Sequence, residues 1–326
     1  MEKDEYAKLL HNREIVFACD HECFLLSSED GISTDATPLP ILASSQEEAD
    51  TLIILHSLYA DHKETNEDAS IVIHSPDTDV FILLLTFCHK FCHPLYFDTG
   101  SGNKRRILHI QTLCVIINRD ILDSLLGLHA FTGCDVNSAF VQKGKIKPLN
   151  ILLKNQEFTS VFKELGQSSE VSENILIMLE KFMCYLYGKP KYTSTSKLWY
   201  NLVRQKYLVK GQCPLSSLAG FDISLLPPCK EALKNHILRA NYQSMIWKQA
   251  DNAQPDIPDP VGYGWVQDTN GILSIEWCTD LLPQQLADIV FDTNTSFEDK
   301  YDDENQTTSN SDYDDITDSD SSDVED

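Results

Sequence analysis

Short apolar runs alternate with longer periodic ones through the first half of the chain, and this alternation is its clearest structural signal. Glu14-Ile15-Val16-Phe17-Ala18-Cys19 and Cys23-Phe24-Leu25-Leu26 read as the two strands of a hairpin, followed by a polar loop to about Ser45. Gln46-Glu47-Glu48-Ala49-Asp50 opens a helix whose apolar positions (Leu52, Ile53, Leu55, Leu58, Tyr59) recur at helical spacing. Ile71-Val72-Ile73, then His74-Ser75-Pro76-Asp77-Thr78-Asp79, then Val80-Phe81-Ile82-Leu83-Leu84-Leu85 reads as strand, Pro-containing turn and helix. Pro94-Leu95-Tyr96-Phe97 and Arg106-Ile107-Leu108-His109-Ile110 read as further strands, with helices around 111–118 and 120–131.

Strands alternating with helices predict an α/β core over residues 10–150. The pattern from 151 to 250 is helical, with spans at Ile175–Leu186, Lys197–Tyr207 and Cys229–Ala250. Pro255, Pro258 and Pro260 mark a Pro-rich linker into a small aromatic module (Tyr263-Gly264-Trp265 to Trp277) within 251–291. From Asp292 to Asp326 the chain is dominated by Asp, Glu, Ser, Thr and Asn. It cannot bury enough apolar surface to offset its ordering entropy, so a disordered acidic tail is expected.

That tail changes the meaning of the charge. A net charge of −24 over 326 residues argues at first against nucleic-acid binding, but much of it is local to the tail. An apolar content of 42% suffices for a real core. The basic patches are small: Lys104-Arg105-Arg106, and Lys143, Lys145 and Lys147. The ten cysteines are scattered, the N-terminus shows no secretory signal, and no apolar run reaches membrane-spanning length. Reduced thiols in the nucleus or cytoplasm, without secretion or a membrane partner, are the expectation.

Three acidic clusters fall at element ends. Glu47, Glu48 and Asp50 lie in the first turn of their helix, Asp77 and Asp79 at the carboxyl end of a strand, and Asp135 at a Gly-containing corner after a helix. Each alone is explained by an N-cap or by first-turn acids in the helix dipole. Together they form an oxygen-donor set for one or two Mg²⁺ or Mn²⁺ ions, since ligands collect at the carboxyl ends of strands in open α/β sheets. Two such ions about 4 Å apart activate water and stabilise the leaving oxygen of a phosphodiester. Cys88-His89-Lys90-Phe91-Cys92-His93 offers soft donors, but without a fourth ligand it reads first as a helix end.

The order of Glu48-Ala49-Asp50, Asp77-Thr78-Asp79 and Gly133-Cys134-Asp135, followed by Lys143-Gly144-Lys145, resembles the flap-endonuclease-like branch of the PIN-domain nucleases. Residues 14 to 285 resemble transposon-associated proteins of that superfamily. The likeness is carried also by Gly127-Leu128-His129-Ala130-Phe131-Thr132, by Leu226-Pro227-Pro228 with His236-Ile237-Leu238-Arg239-Ala240, and by Tyr263-Gly264-Trp265 with Trp277. The resemblance implies a mostly parallel sheet flanked by helices, with a helical region after it. It implies catalytic, Mg²⁺- or Mn²⁺-binding carboxylates at Glu48, Asp50, Asp77, Asp79 and Asp135. It also implies a nucleic-acid contact, DNA rather than RNA, at Lys143, Gly144 and Lys145.

The family's upstream strand with an early Asp and its helical gateway have no counterpart here, so the chain reads as N-terminally shortened. Gln142 stands where the family's Gly-x-Gly hairpin has its first glycine. Two functions therefore stand side by side: a metal-dependent nuclease, and a catalytically inactive remnant that binds nucleic acid or protein. The acidic tail is expected to bind basic partners, including this chain's own basic hairpin.

Overall fold

The computed structural model describes residues 4–207 and 223–278. Helix α1 (Asp4–Leu10) leads into the strands β1 (Glu14–Cys19), β2 (Glu22–Ser27) and β3 (Asp35–Pro38). Helix α2 (Ala49–Lys63), strand β4 (Ile71–His74), helix α3 (Thr78–Phe87) and strands β5 (Leu95–Thr99) and β6 (Arg106–His109) follow. Next come the helices α4 (Ile110–Ile116), α5 (Arg119–Thr132), α6 (Ile146–Lys154), α7 (Glu157–Glu164), α8 (Glu173–Leu186), α9 (Thr195–Tyr207) and α10 (Lys230–Lys248). A hairpin of β7 (Trp265–Gln267) and β8 (Leu273–Ile275) ends the described chain. The class is α/β. The end of the aromatic module and the acidic tail at 292–326 lie outside the described residues.

The expected first hairpin is present, with Phe17 opposite Phe24 and their rings stacked at 5.4 Å. Asp20 turns its tight corner in the left-handed region at φ 53°, a conformation that Asp tolerates better than most residues. The polar loop expected to run to Ser45 contains a third strand instead. β3 pairs antiparallel with β2, and all four of its residues (Asp35-Ala36-Thr37-Pro38) are exposed. With neither face buried it has no apolar alternation to betray it.

The sheets are small and mixed rather than mostly parallel. β4 and β5 pair in parallel, with Ile73 beside Phe97, because α3 supplies the crossover a parallel connection needs. β5 and β6 pair antiparallel, with Phe97 beside Leu108. Only the short turn 100–105 joins them, which suffices for a hairpin and not for a parallel crossover.

Helix α5 is the axis of the core. From Ser124 to Thr132 every residue is buried, and α3, α7 and α10 all lie against it. Gly127 permits the closest approach: a Cβ there would sit 2.1 Å from the carbonyl oxygen of Phe162 on α7. The helices after residue 150 add Phe158, Phe162, Phe182, Ile237 and Trp247 to the same apolar cluster that holds Ile54, Val80, Leu83 and Leu95. The α/β part and the helical part thus share one core. Among the described residues no helix is long and apolar enough to cross a membrane.

Candidate metal centre

Asp77 and Asp79 owe their position to the junction between β4 and α3. Asp77 is the N-cap: its carboxylate accepts the Asp79 N–H at 2.8 Å, while its own N–H donates to Ser75 Oγ at 3.0 Å. Both carboxylates are thereby held at the carboxyl end of β4. Asp50 comes from the first turn of α2, where Thr51 Oγ1 donates to the Glu48 carbonyl at 2.9 Å and fixes the turn. One carboxylate oxygen each from Asp50, Asp77 and Asp79 lies within 4.8 Å of the other two. Oxygens bound to a hard divalent ion at about 2.0–2.6 Å span such distances.

Among the described residues no Lys or Arg forms an ion pair with Asp50, Asp77 or Asp135. Burial, followed by the charges of Asp77, Asp79, Glu48 and Asp135, pushes the Asp50 carboxyl up to about 6. A half-buried cluster of hard oxygen donors carrying excess negative charge could hold a hard divalent cation.

Glu48 sits differently. It is the N-cap residue of α2, yet its side chain turns away from the helix toward α10. Gln243 Nε2 donates to one carboxylate oxygen at 2.8 Å and Trp247 Nε1 to the other at 3.0 Å. Burial raises its pKa, these two donors lower it, and the charges of Asp79 and Asp135 raise it further. The helix starts one residue later than the expected first-turn acids require: exposed Glu47 precedes the N-cap, and of the three acids only Asp50 stands in the first turn.

Asp135 is exposed at the tip of a tight turn that follows α5. Cys134 and Asn137 close the turn with two backbone hydrogen bonds of 2.9 and 3.2 Å. Gly133 begins it at φ 113°, where a Cβ would lie 2.6 Å from Ala139 Cα. Asn137 then anchors the turn: its Nδ2 donates to the Ala130 carbonyl at 3.0 Å, and Arg239 Nε donates to its Oδ1 at 3.3 Å. His236 Nε2–H donates to the Phe131 carbonyl at 2.7 Å, and burial pushes this imidazole down to about 4, so it is neutral. The structure thus converges Asp50, Asp77 and Asp79, with Glu48 and Asp135 close enough for their charges to act on Asp50.

His129 is a site neighbour that motif spacing alone does not single out. Its Nε2–H, on the buried face of α5, donates to Asp79 Oδ1 at 2.7 Å, and its ring lies 5.7 Å from the Trp247 indole. Trp247 therefore touches Glu48 through its N–H and His129 through its ring. Gln243, Trp247, His236 and Arg239 share this task on α10. The visible signal for them is a run of polar residues buried on a long helix, which burial tolerates only when they are hydrogen-bonded.

The basic hairpin takes an unexpected role. Gln142 and Gly144 both adopt left-handed φ, 59° and 53°, so Gln142 accepts a conformation usually left to glycine. Lys145 is exposed along its stem, but its amine turns inward to the C-terminal end of α5. It donates to the His129 carbonyl (2.9 Å), Thr132 Oγ1 (3.1 Å) and the Gly133 carbonyl. Burial pushes this amine down to about 8, against the opposing pull of Cys134 and Asp79. The Lys143 amine lies 4.1 Å from the centre of the Tyr187 ring. Gly144 itself faces open space.

The 88–93 segment resolves into a helix end. The buried Asp61 carboxylate accepts the N–H groups of Cys92 (2.8 Å) and His93 (2.9 Å), and His93 Nδ1 lies 3.0 Å from it. His89 Nδ1 meets the Thr86 carbonyl, so the soft donors face different partners. Comparison of the chain with known protein families, with curated proteins and with solved structures returns no match.

Proposed function

We propose that this chain is a PIN-like, flap-endonuclease-like protein of mobile-element origin that hydrolyses phosphodiesters with Mg²⁺ or Mn²⁺. The observation that carries the reading is the convergence of Asp50, Asp77 and Asp79 from two separate elements within 4.8 Å, with no Lys or Arg paired to them among the described residues. Asp50, Asp77 and Asp79 would hold the cation, with Asp135 facing solvent beside them. When bound, the metal supplies Lewis acidity toward a phosphodiester oxygen and a more acidic water.

The protein's own contribution is positioning. His129 fixes one oxygen of Asp79 and leaves the other for a ligand. Gln243 and Trp247 fix Glu48 behind the cluster. The exposed Asp135 turn is the side from which a phosphodiester would approach the carboxylates. DNA is the proposed substrate.

A second reading has its own support. Both Glu48 oxygens are already hydrogen-bonded, and the Lys143 and Lys145 amines face protein groups. A chain that keeps the frame of such a site with fewer free donors suits an inactive module that binds nucleic acid or protein. The full chain with Mn²⁺ or Mg²⁺ and labelled flap and single-stranded DNA separates the two. Metal-dependent cutting that Asp77→Asn abolishes supports the nuclease; DNA retained without cutting under either metal supports the module.

A further inference from the structure

The second place where reactive side chains meet lies away from the carboxylates, between α10 and the segment that follows β8. Cys229 is the N-cap of α10, preceded by Pro227-Pro228, and its Sγ accepts the Ala232 N–H at 3.5 Å. Cys278 lies 49 residues later, just past the hairpin, and its Sγ is 3.7 Å from that of Cys229. Cys278 also donates to Glu231 Oε2 at 3.4 Å, on the first turn of the same helix. Both cysteines are partly exposed.

We propose that Cys229 and Cys278 form a reversible disulfide that staples the β7–β8 hairpin to the start of α10. A disulfide needs the sulfurs at about 2.05 Å, so rotation of the two thiol groups by less than about 2 Å closes the gap. The chemistry is exchange with a small-molecule disulfide such as oxidised glutathione. The Cys229 sulfur, facing the positive end of α10, attacks one sulfur of the reagent; the S–S bond breaks and one reduced thiol leaves. The Cys278 sulfur then attacks the mixed disulfide and expels the second. Two protein thiols lose two protons and two electrons, and one oxidised glutathione becomes two reduced molecules.

The position gives the bond a consequence. The hairpin it would secure already leans on α10: Asn235 Nδ2 donates to the Glu276 carbonyl at 3.2 Å, and Arg239 Nη1 donates to the Gly264 carbonyl at 3.2 Å. Arg239 is the residue that holds Asn137 beneath the Asp135 turn. The staple therefore braces, through Arg239, the support of one of the site carboxylates. By contrast, Cys88 is buried, and burial first of all pushes the neighbouring Cys114 thiol up to about 12, so that pair is shielded from the same reagent.

The test treats the full native chain with oxidised glutathione, blocks remaining thiols with N-ethylmaleimide, and maps peptides by mass spectrometry. The expected product is a Cys229–Cys278 cross-linked peptide about 2 Da lighter than the two thiols, while the exposed Cys19 and Cys92 appear as glutathione adducts or alkylated thiols. Oxidation should raise Tm on the order of 5 °C, and dithiothreitol should reverse it. Cys278→Ser should fold, bind Mn²⁺ unchanged and show no such shift. Both cysteines alkylated after oxidation, pairing of either with another cysteine, or thiols released only by a zinc chelator would each overturn the proposal.

Discussion

The indole of Trp247 donates to the carboxylate of Glu48 at 3.0 Å, across 199 residues of chain. Trp247→Phe keeps most of the buried ring volume and removes only the donor. The expected result is Mn²⁺ affinity lowered about 10-fold, as for other partners behind metal ligands, with the fold retained. Isothermal titration with Mn²⁺ measures the first and circular dichroism the second. Trp247→Ala should instead cost about 3–5 kcal/mol by opening a cavity beside His129.

Asp50 makes the site's internal repulsion measurable. Its carboxyl is raised from 3.8 to about 6, so between those pH values the folded chain holds a proton that the unfolded chain lacks. Stability contributed by this group is therefore lost as pH rises from 3.8 through about 6. Asp50→Asn removes the repulsion, and the metal-free protein should melt higher at about pH 7 than the parent. Added Mn²⁺ should raise the Tm of the parent and leave that of the variant unchanged, a result read from two pairs of thermal scans.

His236 has the opposite sign. Its imidazole is lowered from 6.5 to about 4, so between those values the unfolded chain binds the proton. The stability from this neutral, buried ring is complete above 6.5 and is lost as pH falls toward about 4, to an extent on the order of 3 kcal/mol. Urea titrations of the parent and of His236→Gln, which keeps a donor for the Phe131 carbonyl, should converge as pH falls. Parallel curves would show that this ring does not stay neutral.

Gly127 sets the distance between α5 and α7. Gly127→Ala places a Cβ 2.1 Å from the Phe162 carbonyl oxygen, so the helices must separate. A loss of about 3 kcal/mol by chemical denaturation is expected, despite alanine's better helix propensity.

The strand–turn–helix around Asp77 is legible in the sequence because local rules specify it: a β-branched run, an N-cap and an apolar helix. The same local logic locates Asp50 and the buried stretch of α5. It fails where structure depends on distant partners. β3 has no buried face to leave a pattern, and β6 turns back on β5 through a connection whose length, not its composition, sets the direction. Lys145 carries the composition of a phosphate contact, but the open carbonyls at the end of α5 capture its amine. The α10 residues that hold Glu48 and the Asp135 turn stand out as polar positions on a long helix, but what they hold does not, for another reason. Their partners lie between 99 and 199 residues away, and no spacing rule joins them.

The placement of α10 also gives the cluster a history during synthesis. Asp50 and Asp77 leave the ribosome long before Trp247, whose indole closes the back of the site. The growing chain must carry these acids without their final partners until some 170 further residues have been made. Assembly of the centre is thus a late event, after the helical half has arrived.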